Sequence, residues 1–228
     1  MQNLILLHGA IGSSEQLQPL AQRLSAAYNV HLLDFSGHGG RAFAADLFSI
    51  KIFAEETLQF IEQQKLDKVS IFGYSMGGYV AMYLARYYPA KVDRIITLAT
   101  KFHWDPSIAA KELQMINAEK LAAKLPNFAE TLSKRHAPND WKEVLSKTGN
   151  MLEAMGNDNP LKPDDYKQIL APCLVLLGDR DKMITLEETM EVYKSLAGGQ
   201  MGMLPSTPHP VEQVNMDALI GMIKPFLG

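Results

Sequence analysis

Ser75 sits in the string Gly73-Tyr74-Ser75-Met76-Gly77, directly after an apolar run at residues 69–72 and at the head of a helical pattern that starts near Gly77. A chain that turns from strand to helix through one residue forces that residue into a strained conformation, and glycines on either side let neighbouring backbone come close. The serine oxygen then projects above the sheet edge. A string of this kind arises by chance in roughly one chain in twenty of this composition, so the strand–turn–helix context carries more weight than the string. A serine hydroxyl is a weak nucleophile at neutral pH and needs a base, usually a histidine held by a carboxylate. Leu176-Leu177-Gly178-Asp179-Arg180-Asp181 puts two acids just past an apolar run, and His209 lies in the loop Pro205-Ser206-Thr207-Pro208-His209-Pro210. Ser75 as nucleophile, His209 as general base and Asp179 or Asp181 as the orienting acid would make an acyl-transfer centre.

Such a centre also needs donors for the oxyanion of a tetrahedral intermediate, commonly the N–H after the nucleophile and one from the loop that closes the first strand. The first candidate is Met76; the loop His8-Gly9-Ala10-Ile11-Gly12 nominates Ala10 for the second. His8 is read as a loop organiser bonded to backbone rather than as a second base. Loops after the second and fourth strands should overhang the nucleophile, so Phe35, Met76, Phe102, His103 and Trp104 are the expected pocket walls, with Phe102 and Trp104 equally able to anchor a covering segment. The six histidines, His8, His31, His38, His103, His136 and His209, show no ligand spacing, so neither a metal nor another cofactor is expected.

The elements that must position these residues follow from periodicity. Short apolar runs at residues 4–7, 30–33, 69–72, 95–98 and 173–177, with a weaker one at 200–204, read as strands. Their continuous hydrophobicity implies a mostly parallel sheet with helices on both faces. Helical patterns fill residues 14–27, 50–64, 77–88 and 211–227. From 101 to 170 the alternation breaks into helices alone, with starts at Asp105-Pro106 and Asn117. The expected organisation is an α/β core at residues 1–100 and 171–228 with a helical lid inserted at 101–170.

The 228 residues, 47% hydrophobic and 21% charged, are enough for one globular domain with a full core. A net charge of -3 gives no electrostatic reason to expect nucleic acid. The single cysteine, Cys173, lies within an apolar run and is read as an inert thiol, in keeping with a reducing cytoplasm. The first residues carry no basic stretch, and their apolar run is too short for an export signal or a membrane span. The expected partner is a small-molecule substrate, and oligomeric state is left open.

The chain resembles the α/β-hydrolase superfamily over nearly its whole length. The matching residues are His8-Gly9, Asp34-Phe35-Ser36-Gly37-His38-Gly39, Gly73 to Gly77, Gly178-Asp179-Arg180-Asp181 and His209. The order serine, acid, histidine is the family's. The resemblance implies that Asp181, fourth in its Gly-x-x-Asp string, is the acid, and that His38 is structural. It also implies a serine esterase or related hydrolase with a sheet of six strands. Menaquinone-pathway lyases of this superfamily carry an arginine two residues beyond the elbow, where this chain has Tyr79. That replacement argues against an anionic substrate there, unless Lys101 compensates. A dinucleotide-binding domain is disfavoured because the first loop lacks G-x-G-x-x-G spacing. A non-catalytic ligand-binding member of the fold need not keep all three catalytic positions, which here are filled.

Overall fold

The computed structural model describes residues 1–44 and 46–228. Strand β1 (Asn3–Leu7) is followed by a 3-10 turn (Ser14–Leu17), α1 (Gln18–Leu24) and β2 (Asn29–Leu33). Then come α2 (Ile50–Gln63), β3 (Val69–Tyr74), α3 (Met76–Tyr87) and β4 (Val92–Leu98). Among the described residues six strands, completed by β5 (Cys173–Gly178) and β6 (Gly199–Leu204), form one parallel sheet in the order β2-β1-β3-β4-β5-β6. The chain therefore winds outward in both directions from β1 and β3, and the switch point falls between the strands that lead into His8 and Ser75. Open parallel sheets place their ligands at such a point, beyond the carboxyl ends of the strands.

Burial explains why the central strands read as unbroken apolar runs. Successive side chains alternate between faces, and here both faces are covered. Ile5, Leu7, Ile71, Ile95 and Val175 pack on the side of α2 and α3, whereas Leu4, Leu6, Phe72, Ile96 and Leu176 pack on the side of α1. The last helix of the chain, Met216–Leu227, shares that second layer through Leu219, Ile220 and Ile223. Edge strand β6 is only partly buried, which accounts for its weak sequence pattern.

Between β4 and β5 lie α4 (Pro106–Met115), α5 (Ala118–Lys124), α6 (Pro126–His136), α7 (Trp141–Asn157) and the short α8 (Pro163–Tyr166). Asp105, Asn117 and Asp140 open α4, α5 and α7 by accepting from Ile108 N, Lys120 N and Lys142 N at 2.8, 2.9 and 2.9 Å. Each satisfies an N–H that the helix itself cannot. Leu121, Leu132 and Leu145 from α5, α6 and α7 make a small core of their own, joined by Ile116, Trp141 and Ile11 of the β1 loop.

Three helices differ from the sequence expectation. The pattern at 14–27 divides into the 3-10 turn and α1, because Pro19 sits at the start of the α-helical part. The crossover helix α9 (Leu186–Ser195) has no counterpart in it, although Thr185 and Glu188 form a reciprocal cap at its start. The terminal pattern also breaks: a 3-10 turn (Val211–Gln213) precedes α10 (Met216–Leu227), whose cap is Asn215. Among the described residues, no helix is long and apolar enough to cross a membrane.

Candidate active site

Ser75 links β3 to α3 with φ 51° and ψ −117°, a left-handed backbone state that costs a non-glycine residue on the order of 1–3 kcal/mol. Its surroundings hold it there. Ser75 N donates to Leu98 O at 2.8 Å, and the Ser75 carbonyl accepts from Gly78 N at 3.0 Å and from Thr100 Oγ1 at 3.0 Å. A Cβ on Gly73 would collide with the backbone of Gly77 and Gly78, and one on Gly77 would run into the carbonyls of Leu7 and His8. The flanking glycines therefore serve two close approaches, elbow to helix and helix to β1.

Asp181, three residues past the end of β5, is 1% exposed at its side chain and lies 2.8 Å from His209 through Oδ2 and Nδ1. Its other oxygen accepts from Met183 N at 2.8 Å and Ile184 N at 3.0 Å. Burial alone would raise this carboxyl, but the hydrogen bond and charge of His209 and the two backbone N–H groups outweigh it and hold Asp181 below the ordinary carboxylate value. Asp181 is thus an acceptor in the ionised form, which leaves Nδ1 of His209 the donor and Nε2 available as a base. Asp179 does something else: its Oδ1 accepts from Thr207 N at 3.0 Å, tying the β5 loop to the loop that carries His209. Tyr74, the residue before Ser75, donates its hydroxyl to the His209 carbonyl at 3.0 Å. Among the described residues, no hydrogen bond joins Ser75 to His209, although both line one cavity; catalytic contacts often tighten only when substrate is bound.

Ala10 and Met76 border the same cavity beside Ser75. Met76 opens α3, so its N–H has no partner within the helix and lies at the positive end of the helix dipole. His8 accepts from Phe35 N at 3.2 Å through Nε2 and faces the Gly9 carbonyl at 2.8 Å through Nδ1. Full burial, partly offset by the Gly9 hydrogen bond, lowers its pKa to about 4. It is a neutral connector between the first two loops, outside the cavity.

The cavity has a volume of about 290 Å³. Its apolar wall includes Met151, Leu152 and Met155 of α7, Ile116 at the end of α4 and Phe128 of α6, together with Ile50, Met183 and Ile184 of the core. Of the expected walls, Met76 and Trp104 line it, and Phe35, Phe102 and His103 do not. Phe35 is fully buried, stacked on Phe53 at 4.6 Å. Phe102 packs against Tyr166 at 5.8 Å and fastens the helical segment to the core, its N–H donating to Glu188 Oε1 at 3.0 Å. His103 points outward beside Asp105, with its side chain 63% exposed. The sequence expectation rested on overhanging loops, which do contribute Trp104, but helices of the segment between β4 and β5 share the wall with them.

Two cations reach the cavity, and both are already engaged. Lys101 donates to Met183 O at 2.7 Å and lies 3.4 Å from Glu112, and Arg135 lies 3.5 Å from Glu212. Tyr79 lies in the wall where the lyases have an arginine, its hydroxyl donating to Asn159 and accepting from Leu161 N. Sequence reasoning missed Arg135, Glu112 and the α7 stripe. The spacing of Thr148, Met151, Leu152 and Met155 marks a buried helix face but not what it faces. Among the described residues, no group of three or more His, Cys, Asp or Glu side chains is arranged to hold a metal ion.

A family profile described as "alpha/beta hydrolase fold" matches residues 2–168. Pimeloyl-[acyl-carrier protein] methyl ester esterase of Aliivibrio salmonicida is 30% identical over 219 residues, covering 89% of this chain and 76% of that protein. The magnesium-chelatase 30 kDa subunit of Rhodobacter capsulatus is 25% identical over 250 residues, covering 98% of this chain and 86% of that one. Two other curated relatives, from Haemophilus influenzae and Schizosaccharomyces pombe, are matched over about a third of their own length, 33% and 35%. In fold, the enol-lactonase of Burkholderia xenovorans LB400 superposes with a TM-score of 0.81 at 19% identity, covering 99% of this chain and 91% of that one. The chain belongs to the α/β-hydrolase family.

Proposed function

We propose that this enzyme hydrolyses a small carboxylic ester with an uncharged, largely aliphatic acyl group, through an acyl-enzyme on Ser75. The observation that carries the reading is the Asp181–His209 hydrogen bond, which faces the same apolar cavity as a serine held in a strained turn. Ser75 Oγ attacks the ester carbonyl while His209 Nε2 takes its proton, and the Ala10 and Met76 N–H groups hold the oxyanion. Collapse expels the alcohol, which leaves with the proton from His209. Water then gives a proton to His209 and its oxygen to the acyl carbon, releasing the acid and regenerating Ser75. Asp181 stays ionised throughout and stabilises the imidazolium.

The methionine-rich wall and the two neutralised cations favour an uncharged acyl group, because a buried carboxylate without its own partner is costly. The ester specificity of the Aliivibrio relative is in line with this reading. Residues 101–170 act as a lid that supplies part of the acyl site, including Met151, Leu152 and Met155. Cys173, fully buried, with its thiol pushed up to about 12 by burial, is suited to a cytoplasmic setting as an inert side chain. Turnover of p-nitrophenyl butyrate against mono-p-nitrophenyl succinate tests the proposal. Neutral butyrate should be favoured by about tenfold or more in kcat/KM. Equal rates would overturn the uncharged acyl site.

A further inference from the structure

The β1 loop carries more strain than its turn requires. Ile11, next to the oxyanion donor Ala10, has φ 52°, and a β-branched side chain in that region is a true outlier. The loop is closed only locally by Gly12 N donating to Gly9 O at 3.1 Å. What holds Ile11 comes from elsewhere in the chain. Its side chain packs against Leu121, Leu132 and Leu145, the small core of the helical segment. Its carbonyl accepts two hydrogen bonds from adjacent residues of α6, Arg135 Nη1 at 3.2 Å and His136 Nε2 at 3.1 Å.

We infer that Arg135 and His136 are positioning residues for the oxyanion hole: by gripping the Ile11 carbonyl, helix α6 holds the neighbouring Ala10 N–H where the developing oxyanion needs it. The inference rests on the acyl-transfer reading. His136 is suited to the task because Gly39 N donates to its Nδ1 at 3.3 Å, which fixes the proton on Nε2, the atom facing Ile11. Burial keeps this ring neutral, with its pKa lowered to about 4. Arg135 extends the grip: its Nη2 reaches Glu212 at 3.5 Å, three residues beyond His209, and Gln16 donates to the same carboxylate oxygen at 2.5 Å. Helix α6, which gives Phe128 and Arg135 to the cavity, is thereby bonded to the loop of the oxyanion donor and to the loop of the base.

The test is steady-state hydrolysis of p-nitrophenyl butyrate by wild type, His136→Phe, His136→Gln and Arg135→Met, with the inhibition constant of butaneboronic acid measured for each. The boronate forms a tetrahedral serine adduct whose oxygen occupies the oxyanion hole, so it reports the hole rather than acyl binding. Loss of the Nε2 donor in His136→Phe should lower kcat about tenfold or more and weaken the boronate by a similar factor, with KM within about twofold. His136→Gln, which keeps an N–H donor, should recover most of both. If His136→Phe does not fold, Arg135→Met carries the same expectation at smaller size. Unchanged kcat and boronate affinity in folded variants, or a loss confined to KM, would overturn the inference. Wild type that neither turns over the ester nor reacts with a fluorophosphonate at Ser75 would instead sink the acyl-transfer reading, and the inference with it.

Discussion

Two aspartates two residues apart have different tasks. Asp181 accepts from His209 and from two backbone N–H groups, whereas Asp179 accepts from Thr207 N and braces the loop. Asp181→Asn should place an amide against Nδ1, favour the wrong tautomer of His209 and lower kcat by about 10³–10⁴-fold. Asp179→Asn retains an acceptor for Thr207 N and should cost less than about tenfold. Ester kinetics on the two variants check this, and a larger loss at Asp179 would reassign the acid. From sequence, the choice between them needed the family's Gly-x-x-Asp pattern, since both residues follow the same strand. Their difference lies in which residue of the one loop each side chain meets 28 positions further on, Thr207 for Asp179 and His209 for Asp181.

At the scale of elements, the strand-to-helix turn at Ser75 was legible because its causes are local: a buried run, a strained residue and glycines at the close approaches all sit within nine residues. Strands β1, β3, β4 and β5 were legible for a related reason, since burial on both faces leaves largely apolar runs, and edge strand β2, though half-exposed, still shows Val30, Leu32 and Leu33. Edge strand β6 gives a fainter signal because Gly199 and Gly202 interrupt it and much of it is half-exposed. The α7 side of the cavity was not legible. Met151, Leu152 and Met155 show only that α7 has a buried face, and tertiary packing alone decides that this face meets Ser75 rather than the sheet. Arg135 was hidden for the same cause, as a charged residue at a helix end usually points to solvent. If α7 sets acyl length, Met155→Trp should shorten the cavity. The rate on p-nitrophenyl hexanoate should then fall about tenfold or more relative to acetate, because filling a close-packed apolar site leaves no room to relax. A parallel fall on both esters would place the acyl chain elsewhere.

Across the whole molecule, three buried histidines join the layers: His8 of the β1 loop lies 5.1 Å from His38, which lies 5.6 Å from His136 of α6 between ring centroids. Burial lowers all three, His8 and His136 to about 4 and His38 well below its ordinary value. The unfolded chain takes up these protons near pH 6.5, whereas the folded chain resists them until about pH 4. Between those limits the unfolded state binds more protons, so stability falls as the pH is lowered through the window. The unfolding midpoint should drop by about 5 °C or more between pH 7.5 and pH 5, read by differential scanning fluorimetry. A midpoint that is flat over that range would mean that the rings are solvated. The central claim is that Ser75 is an activated nucleophile, and the most direct measurement is reaction with a fluorophosphonate probe followed by intact mass and peptide mapping, on wild type and Ser75→Ala. The account predicts one adduct per chain, on the peptide containing Ser75, absent from Ser75→Ala together with turnover of p-nitrophenyl butyrate. A folded wild type that takes up no probe, or labels equally in Ser75→Ala, would contradict it.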